Sequence, residues 1–192
     1  MTEPTDKRPA DADAELVRRA QRELPYRTVA YEQLMRRHER LLFGVCYRML
    51  GNRADAEDAA QDVMVKVFNV LGRFEGRSSF KTWLMRVATN TCITQITRNK
   101  RRREISEQWL DERGADQVTE ISTTAYDVGK LLADVKPANR EVLTLRYVAD
   151  LSLQEIADSL EISLSAAKMR LYRATEELQE RLGDEPPTGQ EK

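Results

Sequence analysis

The chain has 192 residues, 41% of them hydrophobic and 33% charged, with 31 Lys and Arg against 32 Asp and Glu. That length holds one medium domain or two small ones, and the balance describes a foldable, soluble chain of nearly neutral charge. The longest apolar run, Leu41 to Tyr47, is far too short to span a bilayer. The N-terminal "MTEPTDKRPADADAEL" has no apolar signal core, so no membrane association and a cytoplasmic location are expected.

Residues 1–11 read as a disordered N-terminus. Strand-like alternation is scarce and helical periodicity is common, so the fold class is all-α. A first helix is predicted from about Asp13 to Leu24, stopping at Pro25, and a second from Val29 to Leu50, with Gly51 as a left-handed cap. Cys46 and Cys92 each sit in an apolar helical pattern and read as buried thiols. His38, the one histidine, has no Cys or His near it in sequence, so no metal site is expected. No cofactor motif and no nucleophile–base set is present either.

The third helix starts after Asn52 and ends at Gly72. Ala56, Ala60, Val63, Val67 and Val70 form its buried stripe. Opposite lie Asp58, Gln61, Asp62 and Asn69, with Val65 in their middle and Phe68 at the edge. An exposed Val and Phe on an acidic face read either as ordinary surface residues or as a docking face for a partner bearing positive charge.

"RFEGRSSFKTW", Arg73 to Trp83, then mixes three aromatics with three cations around Gly76. That combination suits unpaired bases, which stack on aromatic faces while cations hold the backbone. A fourth helix is predicted from Ser79 to Arg102, with Phe80, Leu84, Val87 and Thr91 on one side. Trp83, Arg86 and Asn90 form a neighbouring row. It ends in "RNKRRR", five cations in six residues. This is either a solubilising charge run or a phosphate-binding cluster.

Residues 104–126 are acidic, lose the apolar period and read as a flexible linker, with at most a short turn at Trp109 and Leu110. Periodicity returns over 127–182, and 183–192 reads as a disordered tail. Pro137 suits a first helical position, and "SLQE" from Ser152 is a capping box. Leu153, Ile156, Ala157 and Leu160 then share one face, "EIS" turns the chain, and Ser163 can cap the next helix. Leu164, Ala167, Leu171, Ala174, Leu178 and Leu182 make that helix's stripe. Away from the stripe lie Ser165, Met169, Tyr172 and Arg173, flanked by Lys168 and Arg170. The pattern is a helix-turn-helix, whose second helix reads the major groove. The other reading is a plain helical hairpin with a solvated outer face.

"DAEDAAQDVMVKVF", "RFEGRSSFKTWLMRVATN" and the terminal helix-turn-helix together resemble a bacterial sigma factor of the extracytoplasmic-function group, within the sigma-70 family. The resemblance implies two small helical domains joined by a flexible acidic linker: residues 12–103 for polymerase docking and −10 melting, 127–182 for −35 recognition. It implies core RNA polymerase as partner, through its β′ clamp and β flap. Promoter DNA is the other partner, double-stranded at −35 and single-stranded at −10. Any anti-sigma factor is expected to cover the same clamp-binding and −35 surfaces.

Asp58, Gln61 and Asp62 match the family's clamp-binding helix, with Val65 and Phe68 on its outer face. Phe74, Gly76, Arg77, Ser79, Phe80 and Lys81 match the loop that captures a flipped −10 base. Trp83, Arg86 and Asn90 match the helix beside the melting point, with Arg98, Lys100 and Arg101 adding charge beyond it. Ser165, Lys168, Met169, Arg170, Tyr172 and Arg173 fall on the −35 recognition helix, and the linker matches the segment threaded through the RNA path. Thr94, Ser165–Ala167 and Met169 depart from common residues of the group, which bears on promoter sequence.

Two other classes fit parts of the pattern. An autonomous helix-turn-helix transcription regulator leaves the aromatic–cation loop without a task. A helical enzyme acting on nucleic acid requires an acid–base or metal constellation that the chain does not carry.

Overall fold

A computed structural model describes residues 10–109, 132 and 135–183. Seven α-helices lie among them and no strand: α1 (Ala10–Glu23), α2 (Val29–Leu50), α3 (Arg53–Val70), α4 (Phe80–Trp109), α5 (Pro137–Tyr147), α6 (Leu153–Leu160) and α7 (Leu164–Gly183). One 3-10 turn, Leu71–Arg73, follows α3.

The predicted helix ends have physical causes in the structure. Gly51 adopts φ 80°, a left-handed conformation cheap only for glycine, and its N–H returns to the Tyr47 carbonyl to close α2. Asn52 caps α3, its side-chain oxygen accepting from the Asp55 N–H at 2.9 Å. Pro137 opens α5, and the capping box between Ser152 and Glu155 opens α6.

The N-terminal unit is built around α2, which packs on α1, α3 and α4. Leu34, Leu42, Val45, Met49, Val63, Val67, Leu71, Leu84 and Met85 are buried between these helices. Each large aliphatic side chain removed from water there contributes about 1.5–3 kcal/mol. Gln21 ties α1 to the turn after α3, donating to the carbonyls of Leu71 and Phe74 at 2.9 and 2.8 Å. His38 lies 2.8 Å from Asp13 of α1 and against the Phe80 ring, so its task is to join elements. Cys46 and Cys92 are free and buried, and their mutual hydrogen bond, with burial, raises the Cys92 thiol far above its ordinary range.

The C-terminal unit packs α5 and α6 against α7, with Leu145, Leu151, Ile156, Ala157, Ala167 and Ala174 inside. Leu164, expected in the α7 stripe, is more than a third exposed because it sits in the first turn, ahead of the packed part of the helix.

Two findings differ from the sequence reading. α4 runs through the basic cluster to Trp109, so residues 104–109, expected in the linker, continue the helix. The rest of the expected linker, and both expected disordered ends apart from Ala10, Asp11 and Gly183, lie outside the described residues.

The second difference is that the two units are packed together, α5 on α2 and α6 on α4. Arg140 of α5 is buried there, donating to the Met49 carbonyl at 2.6 Å and to the Val135 carbonyl at 3.1 Å. A guanidinium at the C-terminal end of α2 meets the negative pole of that helix, and bonds to a charged donor are stronger than neutral ones.

Candidate nucleic-acid and polymerase interface

The outer face of α3 is arranged as its periodicity predicts. Asp58, Gln61 and Asp62 are exposed, and Val65 among them is 62% exposed. The same three polar residues line an open cleft of about 330 Å³ shared with Lys66, Thr91 and Arg98. Phe68 corrects the sequence reading. It is half-buried, its ring meeting Tyr31 edge-on at 5.4 Å, so it braces α3 against α2. Burial raises the Tyr31 phenol to about 12, and its hydroxyl donates to the Met64 carbonyl at 2.5 Å.

Where the loop after α3 meets α4, the three aromatics form one cluster. The ring centroids of Phe74 and Trp83 lie 5.1 Å apart, those of Phe80 and Trp83 5.9 Å, and those of Phe74 and Phe80 6.1 Å. The cluster is graded in depth. Phe80 is 4% exposed and belongs to the core, so it cannot offer a face to a base. Phe74 and Trp83 are half-buried and keep ring surface at the edge of an open cleft of about 480 Å³. Gly76 makes the loop's turn at φ 72°, and Arg77 beside it is exposed and paired with Glu75 at 2.5 Å.

Ser79 has a structural task. Its hydroxyl accepts from the Thr82 N–H at 3.1 Å, which caps the start of α4. Lys81 and Arg86 are half-buried, and Asn90 is exposed. Arg98, Lys100 and Arg101 are exposed at the far end of the described surface of α4. At 1.5 Å per residue they stand roughly 20 Å or more along the helix from Trp83. The aromatic cluster and the basic cluster therefore stand at two separate stations along α4.

On α7, Ser165, Lys168 and Arg173 are exposed, with Met169 at 52% and Tyr172 at 61%. Ser163 caps the helix, accepting from the Ala166 N–H at 3.2 Å. Glu176 holds the Tyr172 hydroxyl, which raises that phenol. Arg170 is half-buried, 3.9 Å from Glu141 of α5. The turn between α6 and α7 places Glu161 at φ 53°, a left-handed conformation that few residues other than glycine adopt.

Side chains of α6 and of Glu161 just after it meet α4, contacts that sequence reasoning did not foresee. Thr82 is 1% exposed and donates to Glu155 at 3.1 Å, Ser159 donates to the Thr82 carbonyl at 3.4 Å, and Arg86 pairs with Glu161. Burial pushes the Glu155 carboxyl up, but the N–H and hydroxyl of Ser152, the Thr82 hydroxyl and Lys81 together hold it below its ordinary value. The one signal in the sequence was on α4, where Met85, Ala88, Thr89 and Cys92 supplement the predicted stripe and give the helix a second inward face.

An exposed acidic face on α3, a graded aromatic cluster where the loop after α3 meets α4, and a C-terminal helix-turn-helix with an exposed outer face define an all-helical protein with three distinct surfaces. Residues 34–102 match the model of sigma-70 region 2, and residues 127–178 that of sigma-70 region 4. The chain is 30% identical over 161 residues to the ECF RNA polymerase sigma factor SigW of Bacillus subtilis, covering 74% of this chain and 83% of that protein. It is 32% identical over 171 residues to the ECF RNA polymerase sigma factor SigG of Mycobacterium tuberculosis, covering 74% of this chain and 46% of that longer protein. The fold is shared with CnrH, solved in complex with the cytosolic domain of CnrY. The TM-score is 0.69 at 24% identity, over 92% of this chain and 100% of that one. The chain belongs to the extracytoplasmic-function sigma factors of the sigma-70 family.

Proposed function

We propose that this chain acts in the cytoplasm as the promoter-specificity subunit of a bacterial RNA polymerase, with each surface described above given one task. Asp58, Gln61, Asp62 and Val65 dock α3 on the β′ clamp. The carrying observation is Val65, an exposed apolar side chain at the centre of an acidic and polar face. Such a face suits a partner that buries one aliphatic anchor and supplies positive charge around it.

Phe74 and Trp83 offer ring surface to a base of the −10 strand. Arg77, Lys81 and Arg86 hold the strand's phosphates, and Arg98, Lys100 and Arg101 hold the duplex further along. Extruding a base costs a few kcal/mol, which stacking at about 1–3 kcal/mol per base offsets. The outer face of α7, with Lys168, Met169, Tyr172 and Arg173, enters the major groove at −35. Ser165 lies at its entry, and Arg170 beside it is shared with Glu141. The β flap is the partner of the C-terminal unit. Catalysis of RNA synthesis belongs to the polymerase.

The test is gel filtration of the chain with bacterial core RNA polymerase. Co-elution at one to one is the expected result, and Val65→Asp should abolish it while leaving helical content unchanged, since an exposed position tolerates charge. Separate elution of the wild-type chain, with tight binding of the chain alone to duplex DNA, would overturn this function in favour of an autonomous regulator.

A further inference from the structure

Ala167 and Ala174 are fully buried and turn one side of α7 inward. At 100° per residue, Ser165, Met169, Tyr172 and Glu176 fall on the line opposite. Lys168 and Arg173 flank that line, one on each side, and both are exposed. When a helix lies in a major groove, its outermost line meets the base edges and its flanks meet the phosphate walls. The two flanking cations suit those walls.

The outermost line itself is apolar where it could touch a base. Met169 is 52% and Tyr172 61% exposed, and side chains three apart on a helix are surface neighbours. Glu176 holds the Tyr172 hydroxyl, which leaves the ring for a ligand. The Ser165 hydroxyl shares a hydrogen bond with that of Ser163 at 3.0 Å, and Arg170 is drawn aside toward Glu141. Every base edge in the major groove presents hydrogen-bonding atoms, but only one apolar group, the C5 methyl of thymine. A thioether and a ring pressed on any other edge would strip water from donors or acceptors and offer no hydrogen bond in exchange. On thymine they cover a methyl, and the unbranched methionine chain can follow its position.

We propose that Met169, with the Tyr172 ring beside it, is a thymine-methyl reader: α7 selects duplexes that carry a thymine opposite its second turn, while Lys168 and Arg173 hold the backbone on either side. This rests on α7 entering the major groove, as proposed above.

The full chain, with core RNA polymerase and separately without it, selects from a duplex DNA library with a randomised central block. Fluorescence anisotropy then measures binding to the selected duplex. The selected site should hold one position fixed as thymine. Replacing that thymine with deoxyuridine removes the methyl and keeps the base pair, and should weaken wild-type binding roughly fivefold. The same replacement at the site's other thymines should matter much less. Met169→Ser lies at an exposed position and should keep its helical content in circular dichroism. It should lose the sensitivity to deoxyuridine and accept other bases at that position in a repeated selection. Met169→Leu, apolar and of similar volume, should retain the sensitivity.

A selected site without a fixed thymine would overturn the reader. So would a deoxyuridine loss of equal size in wild type and Met169→Ser, because another side chain would then cover the methyl. If the chain fails to join core polymerase yet selects such a site alone, the function proposed above falls and the reader stands. If neither arm enriches a sequence, α7 does not read bases and the reader falls.

Discussion

Phe74, Phe80 and Trp83 are separated in the structure by depth. Phe80 is buried against His38 and inside the aromatic cluster, while Phe74 and Trp83 keep an open edge. Truncating Phe80 to Ala should therefore cost the fold about 3–5 kcal/mol, seen as a large drop in the thermal midpoint before any DNA is added. A change confined to strand opening, with the midpoint preserved, would contradict its place in the core. The sequence could not separate these rings, because a loop of alternating aromatics and cations has no period that assigns a face. Val65 was legible for the opposite reason: its helix has a clean stripe, and the far side of a clean stripe is surface. Phe68 lies at the edge of that stripe, where periodicity alone cannot decide, and Tyr31 of another helix decided it.

At the scale of single elements, caps and breakers were the most legible features. Gly51, Asn52, Pro137 and Ser152 each act within four residues of themselves, so a sequence contains all that they need. The end of α4 was misjudged because five neighbouring cations suggest a helix end, whereas the structure continues the helix to Trp109. α2 carries an opportunity. Gly44 lies in its interior, and a methyl group added there would meet Val148 of the C-terminal unit at 3.7 Å, an ordinary contact. Gly44→Ala should stabilise the protein by about 0.5–1 kcal/mol through lost unfolded-state freedom, measured as a raised denaturation midpoint in urea. A lower midpoint would show that α5 packs on α2 more tightly than that spacing allows.

For the whole molecule, both helical units were legible and their mutual packing was not. Contacts such as Arg140 to Met49 or Ser159 to Thr82 join residues far apart in sequence and leave no periodic mark. Glu141 belongs to the same seam. Burial raises its carboxyl above the ordinary value, against the lowering effects of the Thr89 hydroxyl and of Arg170. A carboxyl raised by folding contributes stability at pH below its unfolded value, and that contribution is lost as pH rises through its folded value. Glu141→Gln should then raise the thermal midpoint at pH 7 relative to wild type, with the difference vanishing near about pH 4. An equal gain at both pH values would point to packing as the cause.

α4 also fixes the tether between the units. Its 30 residues make a rod of roughly 45 Å, and the chain between Trp109 and Leu132, which is helical and buried, can reach at most roughly 80 Å when taut. The two units can thus part widely with every helix intact, yet neither can diffuse away. After release, each meets the other at an effective concentration of the order of millimolar. Re-closure is then a fast, unimolecular event whose odds are set by tether length. Whatever holds the units apart must compete with that local concentration at every moment, and lengthening the tether weakens re-closure without altering a single contact.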